Sequence, residues 1–194
     1  MSEKIKLLVI LGSVRIGRFG DKPAKMVAEM AKKLDEVDVD FIDLKDFGLP
    51  NFESAISPAY ITNQDYGNEK INAFGDLVRG SDAFVVVSPE YNHGYSSALK
   101  NALDSVYIEW NKKPIGFISY GSAGGARAIE QLREVAVELQ MAPIRNAVHI
   151  MSPWNLVDES GNLKPGALDE YEKPMHNMLE QLIWWAKALN IARK

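Results

Sequence analysis

Ile5-Lys6-Leu7-Leu8-Val9-Ile10-Leu11, followed by Gly12-Ser13-Val14-Arg15-Ile16-Gly17-Arg18-Phe19-Gly20-Asp21, is the stretch on which the fold turns. A continuous apolar run carrying one charge is the pattern of a strand buried on both faces of a parallel sheet. The glycine-rich segment after it opens a helix, because Met26, Val27, Met30, Ala31 and Leu34 fall on one face at helical spacing. Strand, glycine-rich turn and amphipathic helix make one βα unit, and the rest of the chain repeats it. Val37 to Leu44, Ala83 to Ser88, Ile115 to Tyr120 and Ile144 to Ile150 read as further buried strands. Helical stripes lie between them: Ile71, Phe74 and Val78; Leu99, Ala102, Leu103 and Val106; Ile129, Leu132, Ala136 and Leu139. A last stripe, Met175, Met178, Leu179, Leu182, Ile183 and Ala186, follows the fifth strand.

Five strands alternating with about five helices predict an α/β fold built on one parallel sheet. Crossovers in such sheets are right-handed, so the sheet is doubly wound with helices on both faces, and the flavodoxin-like order 2-1-3-4-5 suits five strands best. A length of 194 residues with 46% hydrophobic residues supports one core, so residues 1-194 are read as a single domain. Two segments interrupt the alternation. Asp46 to Tyr66 is a long connection with Pro50, Pro58 and the aromatics Phe52, Tyr60 and Tyr66, expected to cover a pocket or a partner. Met151 to Gly166, with Pro153, Trp154, Gly161 and Pro165, reads as an ordered excursion for packing or subunit contact.

Composition removes several classes of function. A net charge of -4 leaves no basic field for nucleic acid, which is therefore not an expected partner. The absence of cysteine excludes disulfides, thiolate catalysis and iron–sulfur ligation, so any redox chemistry must ride on a bound organic cofactor. His149 ends an apolar strand and His176 lies on the last helix with no third ligand at a useful spacing, so no metal site is expected. The stretch from Met1 runs into an apolar segment too short to span a membrane and without a cleavage pattern. The expectation is an unprocessed cytoplasmic protein with no membrane association.

Ligands of open parallel sheets bind beyond the carboxyl ends of the strands near the switch point, which directs attention to the loops after strands one, three and four. In the first, Gly12, Gly17 and Gly20 permit tight turns. Ser13, Arg15 and Arg18 supply donors for phosphate oxygens at a helix start, and Phe19 lies beside them. Neither the Walker spacing nor G-x-G-x-x-G is present, which disfavours a nucleoside triphosphate or a dinucleotide here. The alternative is a glycine-rich turn with two solvated arginines. The second loop, Ser88-Pro89-Glu90-Tyr91-Asn92-His93-Gly94-Tyr95, offers an aromatic ring, a proline and open amides to a flat heterocycle, or else is a proline-bearing turn. The third, Tyr120-Gly121-Ser122-Ala123-Gly124-Gly125, lets backbone approach a ligand closely, or else is a helix N-cap.

These residues resemble the NAD(P)H-dependent FMN reductase family, which includes quinone reductases, azoreductases and chromate reductases of flavodoxin-like fold. The resemblance rests on Gly12-Ser13-x-Arg15, on Pro89-Glu90-Tyr91-Asn92 with Gly94, and on the turn from Gly121 to Gly125. It implies non-covalent FMN, with its phosphate held by Ser13, Arg15 and their neighbours through Gly20. Pro89 to Asn92 would flank the isoalloxazine ring, and Tyr120 to Gly125 would lie along its other side. Many relatives have serine where this chain has Arg18 and asparagine where it has Gly20, a departure that puts Arg15 ahead of Arg18 as a phosphate ligand.

With a flavin bound, hydride passes from NAD(P)H to flavin N5 and electrons pass on to a second acceptor, so little is asked of protein side chains. No catalytic acid or base is nominated. Amides from Glu90 to Asn92 and from Gly121 to Gly125 are the expected stabilisers of reduced flavin. Glu90 is expected to be solvated or ion-paired, and His93 either meets the second substrate or faces water. Adjacent Trp184 and Trp185 cannot both face inward on one helix; the resemblance implies a homodimer or homotetramer that would use such a residue. The leading function is an enzyme reducing a quinone, azo compound, flavin or metal oxyanion at the expense of NAD(P)H. The rival readings are a flavodoxin-type electron carrier without a nicotinamide site, and an FMN-dependent regulatory module.

Overall fold

The quoted apolar run is strand β1 (Ile5–Leu11) in the computed structural model, which describes residues 4–193. Residues 1–3, which begin the stretch read as an unprocessed N-terminus, lie outside the described residues. Strand β1 pairs on one side with β2 (Val37–Asp43) and on the other with β3 (Ala83–Pro89). Beyond β3 come β4 (Pro114–Gly121) and β5 (Ala142–Met151). All four pairings are parallel, and the sheet has the expected order β2-β1-β3-β4-β5.

Helices cover both faces. Helix α1 (Asp21–Lys32) and the last helix, α6 (Asp169–Arg193), pack with Val27, Ala31, Met175, Met178 and Leu182 against one face. Helices α3 (Glu69–Gly80), α4 (Ser97–Ser105) and α5 (Ala126–Glu138) bury Phe74, Leu99, Leu103, Ile129 and Leu132 against the other. One element was missed from sequence: the single turn α2 (Leu44–Phe47), which Asp43 caps by accepting from the Lys45 amide at 2.9 Å. Its C-terminal residue, Gly48, takes the left-handed conformation at φ 63°.

The expectation that all five runs are buried on both faces holds for β1, β3 and β4 but not for the edges. Strand β2 exposes Asp38, Asp40 and Phe41, and β5 alternates. An edge strand lacks a neighbour, and polar groups there block pairing with other chains. The free edge of β5 is closed from within. Arg133 donates to the carbonyls of Ile144 and Arg145 at 2.6 and 3.0 Å, and the Asn146 amide donates to Gln181 at 2.8 Å.

The two irregular segments resolve differently. Residues 48–66 run along α4, and Gly48, Leu49, Asn51 and Phe52 line a cavity there together with Val14 and Leu44. Asn101 donates to the Pro50 carbonyl and accepts from the Phe52 amide, both at 2.8 Å, and Tyr66 donates to buried Glu109 at 2.7 Å. A 3-10 turn at Pro58–Tyr60 interrupts the segment. The segment after β5 makes a 3-10 turn at Pro153–Leu156 and a small hairpin closed by an antiparallel bridge between Val157 and Leu163. It folds back towards the end of β4, where the Ser152 amide donates to the Gly121 carbonyl at 2.9 Å. Among the described residues no helix is long and apolar enough to cross a membrane.

Candidate functional site at the carboxyl ends of the strands

The loop after β1 leaves the sheet in close contact with β3 and α4. The Gly12 amide donates to the Val87 carbonyl at 2.9 Å, and the Gly12 carbonyl accepts from the Ser96 hydroxyl. Any Cβ on Gly12 would stand 3.2 Å from that Val87 oxygen, so this position serves packing. Ser13 is fully buried, and its hydroxyl lies 2.9 Å from the Tyr91 hydroxyl in a hydrogen bond either can donate. Arg18, which sequence placed among the phosphate donors, is already engaged. It donates to the Ser13 carbonyl at 2.6 Å and grips both carboxylate oxygens of Asp43 at the end of β2. Arg15 is the opposite case: it is exposed, makes no ion pair among the described residues, and lies over the Tyr91 ring at 5.6 Å.

Backbone donors distinguish this loop from its neighbours. Helices α3 and α4 are capped by the side chains of Asn68 and Ser96. Helices α1 and α5 begin on Gly20 and Gly125, which cap nothing. At α5 the vacancy is filled by Glu90, whose carboxylate accepts from the Arg127 and Ala128 amides at 3.1 and 3.3 Å. At α1 it is not filled: no acceptor among the described residues takes an amide from residues 13–21. Free amides at a helix start carry partial positive charge and suit an anion.

Beside them stands Tyr120, 6% exposed, whose hydroxyl has no hydrogen-bond partner among the described residues. Burial pushes this phenol far above its ordinary value and the Tyr91 hydroxyl adds to the effect. Ser13 and the Gly20 backbone offset it in part without reaching hydrogen-bond geometry. Gly20 is fixed by the same ring, since a Cβ there would meet the Tyr120 hydroxyl at 2.5 Å.

After β3, Tyr91 and Gly94 exchange backbone hydrogen bonds of 2.8 and 3.0 Å around Asn92 and His93, both with positive φ. Two successive left-handed residues make the tight turn that projects Tyr91 inward. Glu90 is ion-paired, one of the two expected fates. Its side chain is 4% exposed and accepts from Arg127 Nε at 2.7 Å and from Arg127 Nη2. Burial alone would raise this carboxyl, but the Arg127 hydrogen bonds and the α5 amides outweigh burial and hold it below its ordinary value. Arg127 Nη1 also meets His93 Nε2 at 3.0 Å, and His93 is otherwise exposed.

A cavity of about 300 Å³ opens between these elements. Of the residues expected in the site, Arg15, Arg18, Phe19, Pro89, Glu90, Tyr91, Tyr120 and Gly121 line it. Ser13 and Gly20 stand behind the wall, in contact with Tyr91 and Tyr120. Asn92, His93, Gly94 and Ser122 lie outside the lining. Gly124 and Gly125 need correction in their role: they do not clear space for a ligand. A Cβ on Gly124 would meet His149 at 2.9 Å, one on Gly125 would overlap the Ser119 side chain, and both residues have positive φ. They are glycines because the backbone crosses β4 and β5 too closely for anything else. Gly17, within the expected phosphate loop, also lines the cavity, whereas Lys22, Pro153, Trp154, Val157 and Gly161 were missed. The signal available was the tryptophan and prolines of the segment after β5, which sequence assigned to packing or subunit contact.

The arrangement defines a flavodoxin-like oxidoreductase site. Among the described residues, free amides and an unpaired arginine offer donors suited to an anion, a buried hydroxyl has no partner, and an aromatic-lined cavity continues from them. These features fit FMN, the phosphate at residues 13–20 and the ring system towards Pro89, Tyr91 and Gly121. Comparison with known proteins places the chain. Residues 5–155 match the family model described as NADPH-dependent FMN reductase. The chain is 41% identical over 146 residues to an NAD(P)H-dependent FMN reductase of Schizosaccharomyces pombe, covering 74% of this chain and 72% of that one. It is 30% identical over 146 residues to the quinone reductase of Escherichia coli, covering 72% and 73%. The fold is similar to that of the flavoenzyme NAD(P)H:(acceptor) oxidoreductase FerB of Paracoccus denitrificans, with TM-score 0.72, 20% identity and coverage of 95% and 98%. The chain belongs to the NADPH-dependent FMN reductase family and is an oxidoreductase with FMN as its cofactor and NAD(P)H as its reductant.

Proposed function

We propose that the chain is a cytoplasmic quinone reductase that works through FMN held at the ends of β1, β3 and β4. The observation that carries this reading is the run of unpartnered amides at residues 13–21 beside unpaired Arg15 and the orphaned Tyr120 hydroxyl. Bound FMN supplies a two-electron relay with the balance NAD(P)H + H⁺ + quinone → NAD(P)⁺ + hydroquinone. The chain's own residues do the rest. The loop amides and Arg15 hold the phosphate, and Tyr91, locked to Ser13 and the two-residue turn, forms an aromatic wall. Glu90, committed to Arg127 and the α5 amides, fixes that turn against the end of β4 and has no proton to give near neutral pH.

A homo-oligomer is part of the same proposal. Trp184 and Trp185 are 65% and 36% exposed and pack edge-on at 5.5 Å on the outer side of α6, an apolar surface suited to a second copy. The test of the reaction is a visible spectrum with added FMN followed by anaerobic NADPH or NADH. Binding followed by bleaching of the flavin band, with recovery on adding a quinone, is expected. Binding without bleaching would favour an electron carrier, and no binding would overturn the site.

A further inference from the structure

The hairpin after β5 is built to present a tryptophan that its own packing does not use. Its polar groups are satisfied internally. The Asp158 amide donates to the Asn162 carbonyl at 2.8 Å, and the Asp158 carboxylate accepts from the Ser160 and Asn162 amides, both at 2.9 Å. Lys164 returns to Asn155 and Leu156 at 2.9 and 3.0 Å. Pro153 is buried and Leu156 packs on the core beneath α1 and α6. Ser152, at the root, takes the left-handed conformation at φ 45°, a strained choice for a residue with a side chain, and there its amide is bonded to Gly121. Yet Trp154, the largest side chain of the segment, is 59% exposed and lines the same cavity as Pro89, Tyr91 and Tyr120. The family match ends at residue 155, so the part of the hairpin that contributes Val157 and Gly161 to the wall lies beyond the matched segment.

We propose that Trp154 is the residue that selects the electron acceptor, favouring a flat aromatic quinone over acceptors that have no ring face. The inference rests on the reductase reading above. An indole held at the rim of an aromatic-lined cavity offers a stacking surface at little entropic cost, because the hairpin has already fixed its backbone. Lys22 in the same lining supplies positive charge towards oxygens that gain electron density as a quinone is reduced, Arg15 being committed to the FMN phosphate. A metal oxyanion would meet that charge equally well but has no face for Trp154. Trp154 therefore discriminates between the two classes where the cationic group does not.

The test compares the FMN-loaded chain with its Trp154→Ala and Trp154→Phe variants, using 1,4-naphthoquinone as the flat oxidant and ferricyanide as the oxidant without a ring. Selectivity for naphthoquinone over ferricyanide should fall about three- to ten-fold in Trp154→Ala, through KM rather than kcat. Equilibrium dialysis against the oxidised holoprotein, which involves no turnover, should show the same loss of naphthoquinone affinity. Trp154→Phe should restore most of both. Unchanged naphthoquinone affinity in Trp154→Ala, or an equal loss for ferricyanide, would overturn the proposal. A parent chain that binds naphthoquinone through Trp154 but does not oxidise NADPH or NADH would overturn the reductase reading while leaving the stacking site in place.

Discussion

Replacing Glu90 by alanine tests whether the turn after β3 is held from behind. The carboxylate accepts two bonds from the Arg127 guanidinium and two from the first amides of α5, and its side chain is 4% exposed. Hydrogen bonds to a charged group contribute about 1.5–3 kcal/mol when one partner is removed, and loss of a helix cap costs about 1 kcal/mol. Arg127 is 40% exposed and regains water once unpaired, which keeps its share at the low end. The expected loss is about 2–3 kcal/mol, which for a chain of this size lowers Tm by about 4–12 °C.

The dependence on pH follows from the direction of the Glu90 shift. Its folded-state pKa lies below the ordinary carboxylate value, so the stabilisation is complete above that value and is lost as pH falls through the lowered one. Glu90→Gln, which keeps the shape, should abolish that acid-side dependence and lose less at neutral pH. Urea denaturation of the parent and both variants, with FMN titrations alongside, makes the measurement. Equal midpoints and equal FMN affinity for all three at neutral pH would refute the clamp.

Arg15→Ala should weaken FMN binding by about 1.5–3 kcal/mol, read from flavin fluorescence, and equal affinity would remove Arg15 from the cradle. Tyr120→Phe deletes a hydroxyl that has no partner among the described residues, so the apo chain should lose no stability while FMN affinity falls; a destabilised apo chain would mean the hydroxyl already serves the fold. Gly125→Ala, which combines positive φ with overlap of Ser119, should cost several kcal/mol in denaturation, whereas Gly17→Ala, with positive φ but open space, should cost about 1 kcal/mol. Lys113 is buried and donates to the Val78 and Arg79 carbonyls at 2.7 and 2.9 Å; burial first, and then the nearby Arg193 charge, bring its pKa down to about 8. The unfolded chain therefore binds more protons above that pH, so stability should rise between pH 8 and the ordinary lysine value, a slope that Lys113→Met should remove.

The strands were legible because each announced itself, whereas their order came from the preference of five-stranded doubly wound sheets rather than from the residues. Ile5–Leu11 and Ala83–Pro89 are apolar on both faces, and only interior strands of a parallel sheet require that. The edges misled for the same reason. Val37–Asp43 is apolar enough to read as a strand, but its alternating aspartates mark one whose outer side meets water. The single turn α2 left no periodic signal; what forms it is the Asp43 cap and Gly48, features that also occur in ordinary loops.

The site was legible where function demands an unusual local sequence, and obscure where it depends on which groups meet. Gly12-Ser13-x-Arg15 marks a glycine-rich helix start, and the departure from relatives at Arg18 already ranked Arg15 ahead of it, but the physical reason is not in the loop itself. That distinction comes from Asp43, at the far end of β2, which reaches Arg18 and leaves Arg15 free. Gly124 and Gly125 illustrate the converse: a glycine pair reads as clearance for a ligand, yet the space it clears is taken by His149 and Ser119 of neighbouring strands. Trp154 was passed over because one tryptophan between prolines is as common in a packed excursion as in a pocket. Its place follows from the pairing of β4 with β5, which the bond from Ser152 to Gly121 extends, and from the packing of Pro153 and Leu156. Residue types that bind phosphate can be read one loop at a time, whereas the wall proposed to meet the second substrate exists only once β4 and β5 lie side by side.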